Sequence, residues 1–371
     1  MYQVKNKVMI GSDLSDTDKY IVLNNVFEFE VNNSNSEIPS TGTLTITKKD
    51  IVISGSEIRW GKYSFKLWDR IRIYSTYFHN GEAMDDTFIY EGFVTDYHTD
   101  NAFIKFTLES NSVLLKKSKR VNFSLNNPKL SDILMKSFES YSPSKESNVI
   151  KLSGKFIGDY EQSFEIHFQE LELEGNWNTD NEPKSAMEIF NIIREEFKAD
   201  IFEFENKIYI AIRYPESDVT HKFAYPYLKG YNYVIDNKLQ NKMNDIEKYI
   251  IKAKSVVSPT KTIQLAYAYG VNGAGYVEYS TERDITETLN LPPYKESSMK
   301  KIIESTWDKL IQGGVKDGSF LTFGYPIVRL GNRIIFNYQG EEQTYLVDGV
   351  KVKSGNNGIR YEVLLGLKTK G

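Results

Sequence analysis

The sequence predicts a β-rich α+β protein in which two related small antiparallel β-barrels flank an α+β insertion. Three observations carry that expectation. Alternating apolar and polar runs, broken by Gly, Asn, Asp and Ser clusters, fill both ends of the 371-residue chain. Apolar stripes at helical spacing appear between them. A strand pattern that begins near Arg70 recurs near Arg333 and, from Phe88 onto Tyr345, continues at an offset of 257 positions. The expected units are residues 1–120, 121–234 and 235–371, with the barrels near Lys19 to Lys119 and Ile235 to Lys370.

In the first unit, strands are expected at Val26 to Val31, Gly42 to Thr47, Arg70 to Tyr74, Phe88 to His98 and Ala102 to Leu108. The middle changes period. Asn127-Pro128 reads as a cap and first helical residue, followed by Leu130, Ile133, Leu134, Phe138 and Tyr141 at helical spacing. A second helix opens on the capping box Ser185-Ala186-Met187-Glu188 and carries Ala186, Ile189, Phe190, Ile193 and Phe197. A hairpin then pairs Ile201 to Phe204 with Lys207 to Ile212 across Glu205-Asn206. In the last unit a helix is expected over 297–312, from Met299 to Ile311, before the chain returns to strands.

The repeat matches Trp68-Asp69-Arg70-Ile71 to Gly331-Asn332-Arg333-Ile334, then Phe88 to Val94 to Tyr345 to Lys351, which pairs Gly92 with Gly349. It continues through Ile104 to Leu108 against Tyr361 to Leu365. Glycine inside a strand marks a bulge or sharp bend, by which a small sheet coils.

Composition narrows function. With no Cys and four His, disulfides, thiolate metal sites and thiol catalysis are excluded. A net charge of −4 gives no basic excess for nucleic acid, and no apolar run reaches the roughly 18–20 residues that span a bilayer. The opening residues also lack the apolar stretch of a secretion signal.

The segments Asn25 to Phe29, Thr41 to Ile46, Ser185 to Tyr214, Phe323 to Ile334 and Tyr345 to Leu367 together resemble the hub proteins of contractile phage tails. These are the late control protein D family and its relatives in type VI secretion spikes. Asn332 stands where that family commonly has Asp, and neither a lysozyme module nor a long C-terminal spike extension is seen. The resemblance implies a non-enzymatic homotrimer whose six barrels adapt a six-fold tail tube to a three-fold spike. It implies a place in the virion tail baseplate or an injection particle, after synthesis in the host bacterial cytoplasm. The partners would be a tube protein and a spike protein, with DNA at most in transit and no membrane insertion.

No cofactor and no metal site is expected. Gly270 to Gly275 has neither dinucleotide nor P-loop spacing and leads into Tyr276-Val277, so it reads as a flexible inter-strand loop. His167 alternates with Glu165 and Gln169 on a polar strand face, and His79, His98 and His221 lie near turns or polar loops. Glu170, Glu172 and Glu174 alternate with Leu171 and Leu173 as one charged face, and Lys116 to Arg120 forms the densest basic run. Arg70 and Arg333 hold equivalent places in the repeat; each either bridges subunits through a carboxylate or sits in water on an edge strand. Two rival functions are a carbohydrate-binding adhesin using the Tyr and Trp supply, and a cell-wall glycan hydrolase using the Glu170 to Glu174 strand.

Overall fold

The computed structural model describes residues 2–23, 25–34, 38–49, 51–54, 57–79, 82–157, 160–179, 182–197, 199–204, 207–211, 219–239, 249–258, 260–270, 273–276, 285–291, 295–302, 318–324, 327–355 and 358–368. One ladder runs through both ends of the chain. In the first half its order is Tyr20–Leu23, Tyr2–Gly11, Arg70–His79, Glu82–Thr99, Phe103–Ser110, Thr41–Thr47, Val26–Ser34, all antiparallel. Alternation drives it: Ile104, Phe106 and Leu108 point inward and are fully buried. The two end strands of this ladder, Tyr20–Leu23 and Val26–Ser34, are consecutive in the chain. Tyr2–Gly11 lies upstream of the Lys19 start that the sequence suggests, and its buried Val8 and Ile10 complete the core.

The second half closes by hydrogen bonds. Glu341–Gly355, Arg333–Tyr338, Thr220–Tyr225, Asn232–Asn237, Gly318–Phe323 and Gly358–Lys368 form a ring of six strands. Thr220–Tyr225 runs parallel to both its neighbours, so this barrel is mixed and not wholly antiparallel. It also reaches upstream of residue 235, because the edge of Arg333–Tyr338 needs a partner and Phe223 and Ala224 supply buried positions for it. The expected limit at 234/235 falls inside Asn232–Asn237. Between that strand and Gly318–Phe323 the chain builds a separate four-stranded sheet, Gly273–Tyr276, Lys261–Gly270, Tyr249–Ser258 and Ile285–Leu291, which the sequence did not announce.

Between the two halves, a five-stranded sheet (Ser142–Glu146, Val149–Ile157, Tyr160–Phe168, Lys207–Ala211, Asp200–Phe204) packs with the helices Leu130–Ser137 and Ala186–Phe197. The second helix begins as its capping box requires: Ser185 N–H donates to Glu188 Oε2 at 2.6 Å and Glu188 N–H to Ser185 Oγ at 3.3 Å. The first does not begin at Asn127. Its start is Leu130, where Asp132 Oδ2 accepts the Lys129 N–H at 2.8 Å. Asn127 instead takes a left-handed φ of 47° and its Oδ1 accepts the Gly175 N–H. Of the helix expected over 297–312, residues 296–302 are helical, with Met299 and Ile302 buried, and 303–312 lie outside the described residues. The hairpin at Asp200–Phe204 and Lys207–Ala211 is as expected, and its turn at 205–206 lies outside them.

Candidate functional site: a duplicated barrel with a shared strand

The repeat is clearest at one turn. Ahead of Arg70, Trp68 has φ 72°, and ahead of Arg333, Gly331 has φ 76°. Lys66 N–H donates to Asp69 Oδ2 at 2.8 Å, and Arg329 N–H donates to Asn332 Oδ1 at 2.8 Å. In each copy the next residue of the turn then closes on the central strand. Trp68 N–H reaches Val94 O and Val94 N–H reaches Asp69 O; Gly331 N–H reaches Val347 O and Val347 N–H reaches Asn332 O. Asn332 accepts the turn's backbone N–H at the place where Asp69 does in the first copy, so an amide and a carboxylate serve this turn alike.

The bulges are duplicated too. Val94 pairs Leu108 and Asp96 pairs Thr107, leaving Thr95 over; Val347 pairs Leu365 and Gly349 pairs Leu364, leaving Asp348 over. Val26 and Glu28 step across Ile46 and Thr45 as Val234 and Asp236 step across Thr322 and Leu321. This corrects the alignment. Along the last strand the expected match, Leu108 with Leu365, is the structural one. Along the central strand the equivalent of Gly349 is Asp96, and that of Gly92 is Tyr345. The two glycines serve separate close approaches: a Cβ at Gly92 would meet Glu109 O at 2.2 Å, and one at Gly349 would meet Leu364 Cδ1 at 2.7 Å.

The central strand of the second copy is shared between the barrels. Residues 341–346 pair Arg333–Tyr338, and on the same edge residues 349–354 pair Phe29 to Ser34 of the first barrel. Glu30 sits opposite Lys353 and takes ion pairs from both Lys351 and Lys353, the latter at 2.9 Å. Burial pushes the Glu30 carboxyl up, but hydrogen bonds and charge from the two lysines outweigh it and hold the group below its ordinary value. Two further contacts lock the halves: the Tyr77 and Tyr361 hydroxyls meet at 3.0 Å in the interior, and Asn6 Nδ2 donates to Ser354 Oγ.

Arg70 and Arg333 do occupy equivalent places, but in different surroundings. The Arg70 guanidinium donates to Glu91 Oε1 at 2.9 Å and to Gln162 Oε1 at 3.4 Å, and Arg72 Nε donates to Glu91 Oε2; it ties the barrel to the middle sheet. Arg333 opens an exposed strand end, its N–H donating to Val219 O. His167 contacts Glu165 at 3.2 Å and stacks on Tyr209. Glu172 is paired with Lys295 at 2.6 Å, and Glu170 accepts from Ser131 at 2.8 Å with Lys145 at 3.9 Å. The basic run is tied down by Lys116 on Glu109, Lys117 over the Trp68 ring and Arg120 on Glu188. Residues 270 and 273 pair across a hairpin, so Gly273 to Gly275 belong to a strand.

A cavity of about 80 Å³ lies beside the junction, lined by Asn33, Ser40, Tyr90, Glu91, Ser110 and Glu203 among others. It is well below the few hundred Å³ of an ordinary small-molecule site. Glu203 there accepts from Ser110 Oγ at 2.5 Å and Ser112 N–H at 3.2 Å, and burial pushes its carboxyl up. Among the described residues no group of three or more His, Asp and Glu could hold a metal, and no helix is long and apolar enough to cross a membrane.

No family model and no curated protein sequence matches the chain. Solved structures do. The tail protein of Neisseria meningitidis MC58 superposes with a TM-score of 0.56 at 9% identity, over 99% of this chain and 97% of that one. The 43 kDa tail protein of prophage MuSo2 from Shewanella oneidensis gives 0.57 at 11% identity, over 98% of each chain. The fold is that of phage tail proteins. The same tail-protein fold appears in a chain of the Francisella PdpA–VgrG complex, with a TM-score of 0.52 at 12% identity. All of this chain is covered there and 54% of the other, so it spans about half that protein's length. These neighbours, phage tail proteins and a chain of a PdpA–VgrG complex, share the fold.

Proposed function

We propose that the chain is the structural hub of a contractile tail or tail-like injection device. Three copies form a ring whose six barrels seat a six-fold tail tube on one face, and whose three-fold symmetry matches a spike on the other. The role is mechanical and involves no catalysis; the residues once suited to a hydrolase strand, Glu170 and Glu172, are occupied by Ser131 and by lysines. Its place is the virion tail baseplate, after synthesis in the host cytoplasm, with tube and spike proteins as partners and DNA passing only in transit.

The observation that carries this is the duplication itself: two barrels with the same turn, the same bulges and one strand held in common. Two quasi-equivalent units per chain turn a closed three-copy ring into near six-fold symmetry. The test is mass by light scattering with imaging of the particle. A ring of about 128 kDa, three times the 42.8 kDa chain, with six lobes is expected. A chain that stays single at all concentrations and on its tube and spike partners refutes it.

A further inference from the structure

Inside one chain, a strand of barrel one pairs with the outer edge of the central strand of barrel two. The matching pieces of the opposite junction are also present, but on edges that do not meet each other in a ladder. The equivalent of Phe29, Glu30 and Val31 is Asn237, Lys238 and Leu239, fixed by the shared bulge and by Lys238 N–H donating to Ser319 O. The equivalent of Val352, Lys353 and Ser354 is Thr99, Asp100 and Asn101, fixed by the shared bulge at Thr95 and Asp348.

On the central strand of barrel one, the ladder with Arg70–His79 ends at Phe93 and the turn closes on Val94. Beyond it, the strand is laddered to Phe103–Ser110 alone among the described residues, on its other edge. Asp96, His98 and Asp100 are exposed.

We propose that the edge from Asp96 to Thr99, with the turn residues Asp100 and Asn101 that follow it, is the docking site for a second copy of the same chain, which inserts Asn237 to Leu239 antiparallel to it. The register is the one the chain already uses within itself, so Lys238 of the incoming copy comes opposite Asp100. Charge complementarity is preserved with its sense reversed. At the internal junction an acid, Glu30, faces Lys353; at the external junction a lysine, Lys238, faces an acid, Asp100. Lys238 has a side chain 63% exposed and, among the described residues, a 3.7 Å contact to Glu362. Each chain carries one edge of each kind, so the contact is heterologous and propagates into a ring in which internal and external junctions alternate. The contact presupposes the ring proposed above and assigns its seam.

The absence of cysteine makes the test direct. Chains bearing D100C alone and K238C alone are treated with a short bismaleimide, separately and mixed. A covalent dimer is expected only in the mixture, and the double variant should give bands up to three chains. Because Asp100 also accepts the Ala102 and Phe103 N–H groups, a second pair, N101C with N237C, keeps that acceptor in place and gives up instead the Asn237 Oδ1 that accepts the Leu239 N–H. In parallel, K238D should move the concentration midpoint of assembly up by about tenfold and the exchange D100K/K238D should restore it. If the wild type has the three-chain mass while neither pair links and K238D changes nothing, the seam is wrong and the ring stands. If the mass stays that of one chain and no pair links, both fall.

Discussion

Asn332 offers the sharpest test of the duplicated turn. Its Oδ1 accepts the Arg329 N–H at 2.8 Å and faces His221 Nε2 at 3.2 Å, and the residue is 4% exposed. Asn332→Ala removes the acceptor for the N–H of half-buried Arg329, which costs about 1 to 2 kcal/mol, within the usual range for an unmet donor. Asn332→Asp keeps the acceptor and adds a charge beside the imidazole. In the wild type, burial holds His221 below its ordinary value, with the Asn332 and Ile327 hydrogen bonds opposing. The unfolded chain therefore binds more protons between the two pKa values, so wild-type stability falls as pH drops through 6.5 toward the folded value.

A carboxylate at 332 reverses that sign by raising the folded imidazole above its unfolded value. The gain is then complete below the unfolded pKa and is lost as pH rises through the folded one. The stability of the Asn332→Asp variant relative to wild type should accordingly improve steadily from pH 8 to pH 6. Because several units share the chain, a single global midpoint is a poor readout. Hydrogen exchange of Arg333–Tyr338 and Thr220–Tyr225, the strands that flank the contact, reports it locally. A pH-independent difference would refute the assigned contact, and an Asn332→Ala variant without loss would refute the turn's role. The reciprocal change, Asp69→Asn, should be neutral or slightly stabilising at pH 7, because burial already pushes the Asp69 carboxyl up.

Three other outcomes are expected. Glu203→Gln keeps an acceptor for Ser110 and Ser112 while removing a buried acid whose folded pKa is raised; wild-type stability should decline as pH rises through that raised value, and denaturant midpoints of the variant should lack the decline. Gly92→Ala places a methyl 2.2 Å from the Glu109 carbonyl and should cost about 1 to 3 kcal/mol, whereas Gly355→Ala, whose nearest neighbour is 3.8 Å away, should be mild by the same measurement. Tyr77→Phe takes a buried partner from the Tyr361 hydroxyl, at about 1 to 3 kcal/mol, and the double change with Tyr361→Phe should recover part of it in a double-mutant cycle.

Much of the middle unit was legible because its signals are local. Ser185 and Glu188 form the capping box their spacing announces, and Ile201 and Ile208 alternate inward on the hairpin. Asn127-Pro128 misled because Asn is as well suited to a left-handed turn as to a cap, and only the distant Gly175 N–H decides between them. The four-stranded sheet between residues 249 and 291, and Thr220–Tyr225 as a barrel stave, depend on partners far along the chain and carry no local mark. The Lys351 and Lys353 pair lies on one strand face, a spacing that could have pointed to a facing acid, but nothing in sequence named Glu30.

The repeat was half legible for a related reason. Equivalent residues lie 257 apart on the last strand, Leu108 and Leu365, but 253 apart on the central one, Val94 and Val347. The hairpin between them is four residues longer in the second copy. A four-residue slip preserves the two-residue period of a strand, so every inward residue still matches an inward residue and alternation gives no warning. Only features that break the period can fix the register: the bulges at Thr95 and Asp348, and the left-handed residues Trp68 and Gly331. The extra length has a structural consequence. It extends the outer edge that receives Phe29 to Ser34, a six-pair ladder, whereas the shorter tip of barrel one ends its straight strand at Thr99. The internal junction is thereby built longer than the proposed external one would be, which suits a joint that is permanent within each chain against one that would form only when chains meet.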